Sequence, residues 1–166
     1  MVTLRSLNAF LHRCLQFLLT ALMAVMIIPV TLQITSRFID FVPRYVWTEE
    51  AARLCLIWLI MLGATIAVRD GTHFDVDVLP TPHTARGHAV GRIVVHVAMF
   101  LVALIFIAFG WRFAMFGWDQ NSELTGINML TIHAAWPLSG VCWFLFLLEK
   151  IADDCKLYRE GRHGSA

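Results

Sequence analysis

Two acids and an arginine lie close together where an aromatic stretch of the sequence gives way to an apolar one. Glu49 and Glu50 precede Arg53 by four and three residues, a spacing that predicts three side chains on one face of a helix. Two interpretations stay open. The acids could stabilise the positive end of a helix dipole and neutralise Arg53. The cluster could instead be a docking site, because charges beside an apolar helix normally face protein.

A second group of polar side chains, His73, Asp75 and Asp77, alternates with apolar residues. In an extended segment all three would project from one side, and imidazole and carboxylate groups are metal ligands. Three ligands from one short loop, without a cysteine or a second histidine nearby in sequence, are a weak metal pattern. We therefore interpret them as the solvated edge of a segment at a membrane interface and predict no metal.

Histidines in apolar stretches raise the question of haem. His96 lies about 6 Å into its predicted helix from one side, whereas His133 begins another helix on the opposite side, so the two cannot share one iron. His12 and His96 lie on the same side, but two histidines alone seldom make a haem site. The four cysteines include no C-x-x-C pair and suit the role of small hydrophobes. We expect no cofactor and no disulfide.

The elements that carry these residues are strongly apolar. Hydrophobic types make up 58% of the 166 residues and charged types 15%, and the mean hydropathy is +0.69. A soluble domain has about a quarter charged residues, so this composition excludes one. Four runs contain no Asp, Glu, Lys or Arg, and they cover residues 14–36, 54–68, 93–111 and 124–148.

Each run can be read as a helix that crosses the bilayer, which takes about 20 residues. The second run is short, but a helix that starts at a Thr48 N-cap would span about 31 Å. A third helix from about residue 84 that continues through Trp118 would have to tilt or leave its ends in the interface. The prediction is an all-α integral membrane protein of one domain, with four tilted transmembrane helices at about 14–36, 48–68, 90–115 and 134–152.

The distribution of basic residues predicts the orientation. With four spans, both termini and the middle loop share one side and hold nine Lys or Arg, whereas the other two loops hold four. Because short basic segments stay in the cytoplasm, both termini are predicted to be cytoplasmic. A net charge of +1 without a basic helix gives no support for a nucleic-acid partner. The expected surroundings are membrane lipids.

No Asp or Glu lies within the four runs, whereas ion-coupled carriers usually place an ionisable group near the bilayer centre. This disfavours a stand-alone four-helix transporter. A quinone-linked or haem-linked redox subunit is disfavoured too, because the thiol type needs cysteine pairs in the outer loops, which contain none. Pairs of small residues four apart instead predict close helix packing, and these are Gly63 and Ala67, Gly110 and Ala114, and Ala135 and Ser139.

One stretch of the sequence is similar to a known family signature. The pattern W-[ST]-E-E-x-x-R, then Gly-Ala, Arg and H-[IF]-x-V-D-x-L resembles that of the small membrane subunit of tripartite ATP-independent periplasmic (TRAP) transporters. The residues that carry the resemblance are Trp47 to Arg53, Trp58, Gly63-Ala64, Arg69 and His73 to Leu79.

A second stretch agrees with the same family in part. Ser122, Gly126-Ile127 and Pro137 fall where that family tends to have a Ser, a Gly-Ile-Pro and a later Pro at the entrance to its last span. Asn128 stands where the family often has proline, and His133 where an aromatic residue is common. These departures weaken the second motif and leave the first intact.

The resemblance implies a multi-pass protein of the bacterial inner membrane that is not an enzyme. Its partners would be the large TRAP membrane subunit, which carries the sodium and substrate sites, and a periplasmic protein that captures an organic acid such as a dicarboxylate or sialic acid. The chain would brace the large subunit and help to dock the binding protein. The partner interface that we predict consists of Trp47, Glu49, Glu50, Arg53, Arg69, His73, Asp75 and Asp77.

Overall fold

The computed structural model describes the backbone of residues 2–39, 41, 43, 45–71 and 85–163, and side chains from residue 5 onward except those of residues 85–90 and 157–163. Helices dominate it. They are α1 (Val2–Phe38), α2 (Trp47–Asp70), α3 (Ala85–Trp118), the short α4 (Leu130–His133) and α5 (Ala135–His163). Four stretches are long and apolar enough to cross a membrane, so the predicted all-α architecture with four spans is confirmed.

The candidate spans are Arg5–Phe38, Trp47–Asp70, Gly91–Trp118 and Leu130–Lys156. The helices extend beyond the predicted transmembrane ranges. Which part of each helix lies in the bilayer stays a prediction, as does the side on which the termini lie.

Two prolines are accommodated differently. Pro29 lies inside α1, where it removes one backbone hydrogen bond. Pro137 lies in the first turn of α5, where its missing N–H would have had no helical partner.

Helix α5 is the centre of the packing. It contacts α3 along its length, and it also contacts α2, while α1 packs mainly on α2. The approach of α3 to α5 is close because both contribute glycine. A Cβ on Gly110 would lie 3.0 Å from the Pro137 backbone nitrogen, and one on Gly140 would lie 3.0 Å from that of Ile107. Larger side chains would push the helices apart.

The predicted pairs of small residues divide into two groups. Ala114, Ala135 and Ser139 are at most 5% exposed, as expected of helix contacts within the chain. Gly63 behaves differently, because a Cβ there would have no atom within 4 Å. The close packing predicted for Gly63 is therefore not made by the residues that the structure describes.

A small core joins α2, α3 and α5. Val68, Met99, Ala103, Trp143 and Leu147 are all buried and in mutual contact. The Trp143 indole N–H donates to the Thr65 hydroxyl over 2.9 Å, and that hydroxyl donates to the Met61 carbonyl over 2.7 Å. Each buried polar group in this chain of bonds has a partner, as a water-free interior requires.

Much of the apolar helix surface is uncovered by the chain itself. In the most hydrophobic stretch of the span Arg5–Phe38 only 6% of the residues are buried. The corresponding stretch of the span Leu130–Lys156 has 44% of its residues buried. Lipid tails are as apolar as leucine, so this exposure carries no penalty in a bilayer. It also leaves α1 with a surface on which another membrane protein could pack.

Candidate functional site

Helix α2 begins one residue earlier than the sequence indicated, at the end that is predicted to face outward. The helix starts at Trp47, and Val46 before it has helical backbone angles. The prediction that Thr48 is the N-cap is wrong. An N-cap side chain accepts a hydrogen bond from the first turn, whereas the Thr48 hydroxyl lies inside the helix and donates backwards to the Tyr45 carbonyl over 2.7 Å.

The predicted charged cluster of Glu49, Glu50 and Arg53 is divided. Arg53 Nη2 lies 3.3 Å from Glu49 Oε1, and both side chains are more than half exposed. An ion pair of this kind contributes little to stability. Glu50 is only 4% exposed, and its carboxylate accepts a hydrogen bond from the Thr125 hydroxyl instead. Glu50 and Arg53 still line one pocket, as their spacing predicts. The carboxylate of Glu50 bonds to a hydroxyl of a distant loop, whereas Arg53 pairs with Glu49.

The partner of Glu50 belongs to the loop of residues 119–129, which connects α3 to α4. We call it the outer loop after the side on which the predicted orientation places it. The loop is a compact turn, in which Ser122 N–H donates to the Ile127 carbonyl over 2.9 Å and Gly126 N–H to the Ser122 carbonyl over 3.0 Å. Gly126 has a φ of 72°, a conformation that glycine adopts without strain. Asn121 and Asn128 face each other across the turn as an antiparallel bridge.

Asn128 ties this loop to the helices on both sides. Its Nδ2 donates to the Trp118 carbonyl at the end of α3 over 2.8 Å, and its Oδ1 accepts from Leu130 N–H at the start of α4 over 2.8 Å. Proline, which the family often has here, could make neither side-chain bond. Trp58 on α2 completes the frame by donating its indole N–H to the Thr131 carbonyl over 2.9 Å.

Between α2 and the outer loop lies an open pocket of about 520 Å³. Its wall combines the two charged residues of α2 with the polar side of the loop. The lining residues are Glu50, Arg53, Gln120, Asn121, Ser122, Glu123, Leu124, Met129 and Ile132. The pocket has both an arginine and acids, so it favours no single sign of ligand charge.

The histidines that raised the question of haem have separate partners. His12 Nε2 lies 3.5 Å from Asp70 Oδ1, and His96 Nδ1 lies 2.5 Å from Asp154 Oδ2. The His133 ring stacks on Phe113, with 3.9 Å between the ring centroids. Within the described residues, no group of three or more His, Cys, Asp or Glu could hold a metal ion. His73, Asp75 and Asp77 lie outside those residues. All four cysteines are free.

The opposite end of the bundle holds a second set of charged contacts. Asp154 of α5 is 4% exposed and accepts from Arg92 over 3.1 Å, in addition to its contact with His96 on the same helix α3. Arg69, a predicted interface residue, lies with its guanidinium carbon 5.2 Å from the centre of the Phe146 ring. Such a cation-π contact engages Arg69 within the chain.

The first turns of α1 are held at this same end. Asn8 is fully buried and donates to Glu149 Oε2 over 2.6 Å, and Arg5 Nη2 lies 2.6 Å from Asp153 Oδ1. These bonds join residues more than 130 positions apart in the sequence. The polar residues of α1 therefore attach the first helix to the last one at the end predicted to be cytoplasmic.

Comparison with known proteins decides the kind of membrane protein. A family model described as "Tripartite ATP-independent periplasmic transporters, DctQ component" matches residues 26–157. The chain belongs to this family. The resemblance to the small TRAP membrane subunit is thereby confirmed, and the signature around Glu49, Glu50 and Arg53 was its sharpest sign.

Curated relatives agree over nearly the whole chain. A "Putative TRAP transporter small permease protein" of Haemophilus influenzae is 26% identical over 148 residues, which cover 85% of this chain and 89% of the relative. The "Sialic acid TRAP transporter small permease protein SiaQ" of Vibrio cholerae is 26% identical over 161 residues, or 93% and 88% of the two chains. Small permeases of this family work with a large permease.

A further relative is much longer. The "Sialic acid TRAP transporter permease protein SiaT" of Haemophilus influenzae is 30% identical over 109 residues, which are 66% of this chain but only 18% of SiaT. One part of that long permease therefore resembles this small permease.

Sequence reasoning missed several site residues of the small permease. Thr125 and Asp154 gain their roles from partners that are distant in sequence, Glu50 for Thr125 and His96 for Asp154. The one available signal was the polar character of Asp154 and Asn8 beside apolar helices, since such residues normally face protein. This polar character indicates that Asp154 and Asn8 are buried, but it does not identify their hydrogen-bond partners.

Gly117 is expected to be intolerant of substitution in the small permease. A Cβ there would lie 2.3 Å from His133 Nδ1 and 3.1 Å from the Leu130 backbone nitrogen. Because the His133 ring is buried and stacked, Gly117→Ala should lower the free energy of unfolding by about 1–3 kcal/mol, measured by denaturation of the purified protein. At Gly91 on the same helix a Cβ would have no atom of the described residues within 4 Å, so Gly91→Ala should be neutral or slightly stabilising. Equal stability of the two variants would contradict the close approach.

Proposed function

We propose that this small permease braces the large permease of a sodium-coupled TRAP transporter in the bacterial inner membrane, with both of its termini in the cytoplasm. The observation that carries the proposal is the match to SiaT, in which a segment similar to this chain is one part of a much longer permease. Segments joined in one polypeptide remain at high effective concentration. A separate small permease would make the same association without a covalent link.

The transported solute is proposed to be an organic acid. The relatives named for sialic acid support a carboxylated sugar, and a dicarboxylate is the other candidate. Substrate and sodium would bind to the large permease, since the four uncharged runs of the small permease contain no Asp or Glu of the kind that ion-coupled carriers place near mid-membrane. We expect no enzymatic activity of this chain.

The proposed partner contacts lie at both ends of α2. Trp47, Glu49 and Arg53 are exposed at the outer end and are available to the large permease. At the other end Arg69 is partly buried, and the loop with His73, Asp75 and Asp77 is assigned to the interface by its sequence alone. A soluble substrate-binding protein would dock on the periplasmic face, where the outer loop lies in the predicted orientation.

Co-purification tests the association. The small permease is expressed with an affinity tag beside the large permease of its own transporter, and the amount of large permease retained in mild detergent is measured. Stable recovery at fixed stoichiometry, together with uptake that requires both chains, is the expected result. Uptake by the small permease alone in liposomes, against a solute gradient, would refute the proposal.

Charge reversal at Arg53 tests the proposed contact at the outer end. Arg53→Glu should reduce recovery of the large permease severalfold, because a like charge at an interface costs more than a lost exposed ion pair. The matched control is Arg112→Glu, which changes an exposed arginine at the outer part of α3. If Arg53→Glu leaves both recovery and uptake at the wild-type level, Arg53 is not part of the interface.

A further inference from the structure

Glu50 is a buried acid that is bonded to a hydroxyl of the outer loop. Its carboxylate accepts from Thr125, and Ser122 lines the same pocket. The neighbouring Arg53 pairs with the exposed Glu49 instead. Burial of a carboxylate is unfavourable unless donors satisfy its oxygens. The Thr125 hydroxyl is such a donor, and its bond holds the outer loop to the end of α2.

The carboxylate of Glu50 also determines the orientation of the Thr125 hydroxyl. An ionised carboxylate only accepts hydrogen bonds, so a hydroxyl bound to it must use its proton there and turns its lone pairs elsewhere. The Thr125 oxygen then accepts from Ile127 N–H over 3.4 Å. In the same turn the Ser122 oxygen accepts from Leu124 N–H over 3.2 Å. Glu50 thereby orients the Ile127 amide through the Thr125 hydroxyl, in a turn that also contains the bonded Leu124 amide.

Those two amides belong to residues with exposed apolar side chains. Leu124 is 55% exposed and Ile127 is 40% exposed, and both flank the turn at Gly126. The rest of the loop is already tied to the helices through Asn128 and Trp58. Glu50 therefore acts on the part of the loop that these bonds do not hold, residues 122–127, and it helps to determine where Leu124 and Ile127 are presented.

We propose that Glu50 is a positioning residue, whose buried carboxylate holds the outer loop in the conformation that the substrate-binding protein contacts through Leu124 and Ile127. The inference rests on the proposed function, because it requires the outer loop to face the periplasm. It changes the role expected of Glu50, which acts from inside the chain rather than at the interface. A preformed loop loses less conformational entropy when its partner binds.

The test measures binding of the soluble substrate-binding protein of the same transporter to the complete membrane complex in lipid nanodiscs. The binding protein carries a fluorescent label, and its dissociation constant is determined by titration. Glu50→Leu and Thr125→Val should each weaken binding about tenfold. The double variant should be no weaker than either single variant, because both changes break the same contact.

Conservative and control variants separate positioning from a general loss of structure. Glu50→Gln keeps one oxygen acceptor and should restore most of the affinity that Glu50→Leu loses. Asp153→Asn alters an exposed acid at the opposite end of the fold and should leave binding unchanged. Hydrogen exchange should rise at the amides of Leu124 and Ile127 in Glu50→Leu, while that of α2 and α3 stays at the wild-type level.

The different failures can be told apart. If wild-type complex does not assemble, or does not bind the labelled protein, the proposed function is at fault. If the wild type binds but Thr125→Val binds equally well with unchanged exchange at the Leu124 and Ile127 amides, the positioning role of Glu50 is refuted. If Glu50→Leu fails to assemble with the large permease, Thr125→Val still decides the question.

Discussion

Replacement of Gly140 by leucine is expected to separate α3 from α5 and to destabilise the small permease strongly. Even a Cβ at this position would lie 3.0 Å from both the Ile107 backbone nitrogen and the Phe106 Cβ. These atoms belong to a packed helix and cannot move individually. The free energy of unfolding should fall by about 3 kcal/mol, measured by denaturation in detergent and by the yield of folded protein.

Gly91→Leu is the matched control for this substitution. It makes the same chemical change on a helix, but in the part of the chain that the structure describes no atom lies within 4 Å of the position that a Cβ would occupy. We expect its stability to stay within about 0.5 kcal/mol of the wild type. If Gly140→Leu proved as stable as Gly91→Leu, the close packing of α3 on α5 would be wrong.

Loss of the Asp154 carboxylate is expected to loosen α3 from α5 at the other end. Asp154 is 4% exposed and lies between Arg92 and His96 of α3. Asp154→Ala leaves these two groups without their acceptor and should cost about 2–3 kcal/mol, somewhat less than a fully buried pair because Arg92 is half exposed. The measurements are thermal unfolding of the purified chain and protease cleavage near the end of α5.

The neighbouring acid provides the control for Asp154. Asp153→Ala removes an ion pair with Arg5 whose partners are 40% and 56% exposed, so it should cost no more than about 1 kcal/mol. The two variants remove the same charge from adjacent positions of one helix. A larger effect of Asp153→Ala than of Asp154→Ala would show that the exposed contact to α1 dominates this end of the fold.

The cluster of Glu49, Glu50 and Arg53 illustrates how far helical spacing can be trusted. Spacing correctly indicated that Glu49 and Arg53 lie close together, because an i, i+4 pair is a property of any helix. It could not indicate that Glu50 turns to the outer loop, since Thr125 lies 75 residues away in the sequence. From the sequence alone, the buried Glu50 could not be distinguished from the exposed Glu49.

The helix boundaries show the same distinction. Thr48 was expected to cap α2 because threonine is a favoured N-cap, yet the helix begins at Trp47. A propensity of about 1 kcal/mol is easily outweighed by tertiary contacts, and Glu50 and Trp58 both bond to the outer region of the chain. These bonds attach the first part of α2 to Thr125 and Thr131.

The sequence by itself determined that this chain spans a membrane with four helices, because uncharged apolar runs of sufficient length have no stable alternative in a bilayer. It also determined the family, because the spacing from Trp47 to Leu79 is unusually specific. Only the tertiary structure decided that α5 is the central helix, that Glu50 bonds to the outer loop, and that Asp154 bonds to α3. Hydrophobicity determines how many helices enter the bilayer, but it says little about which helices pack together. Steric fit and hydrogen bonds between distant residues determine that packing.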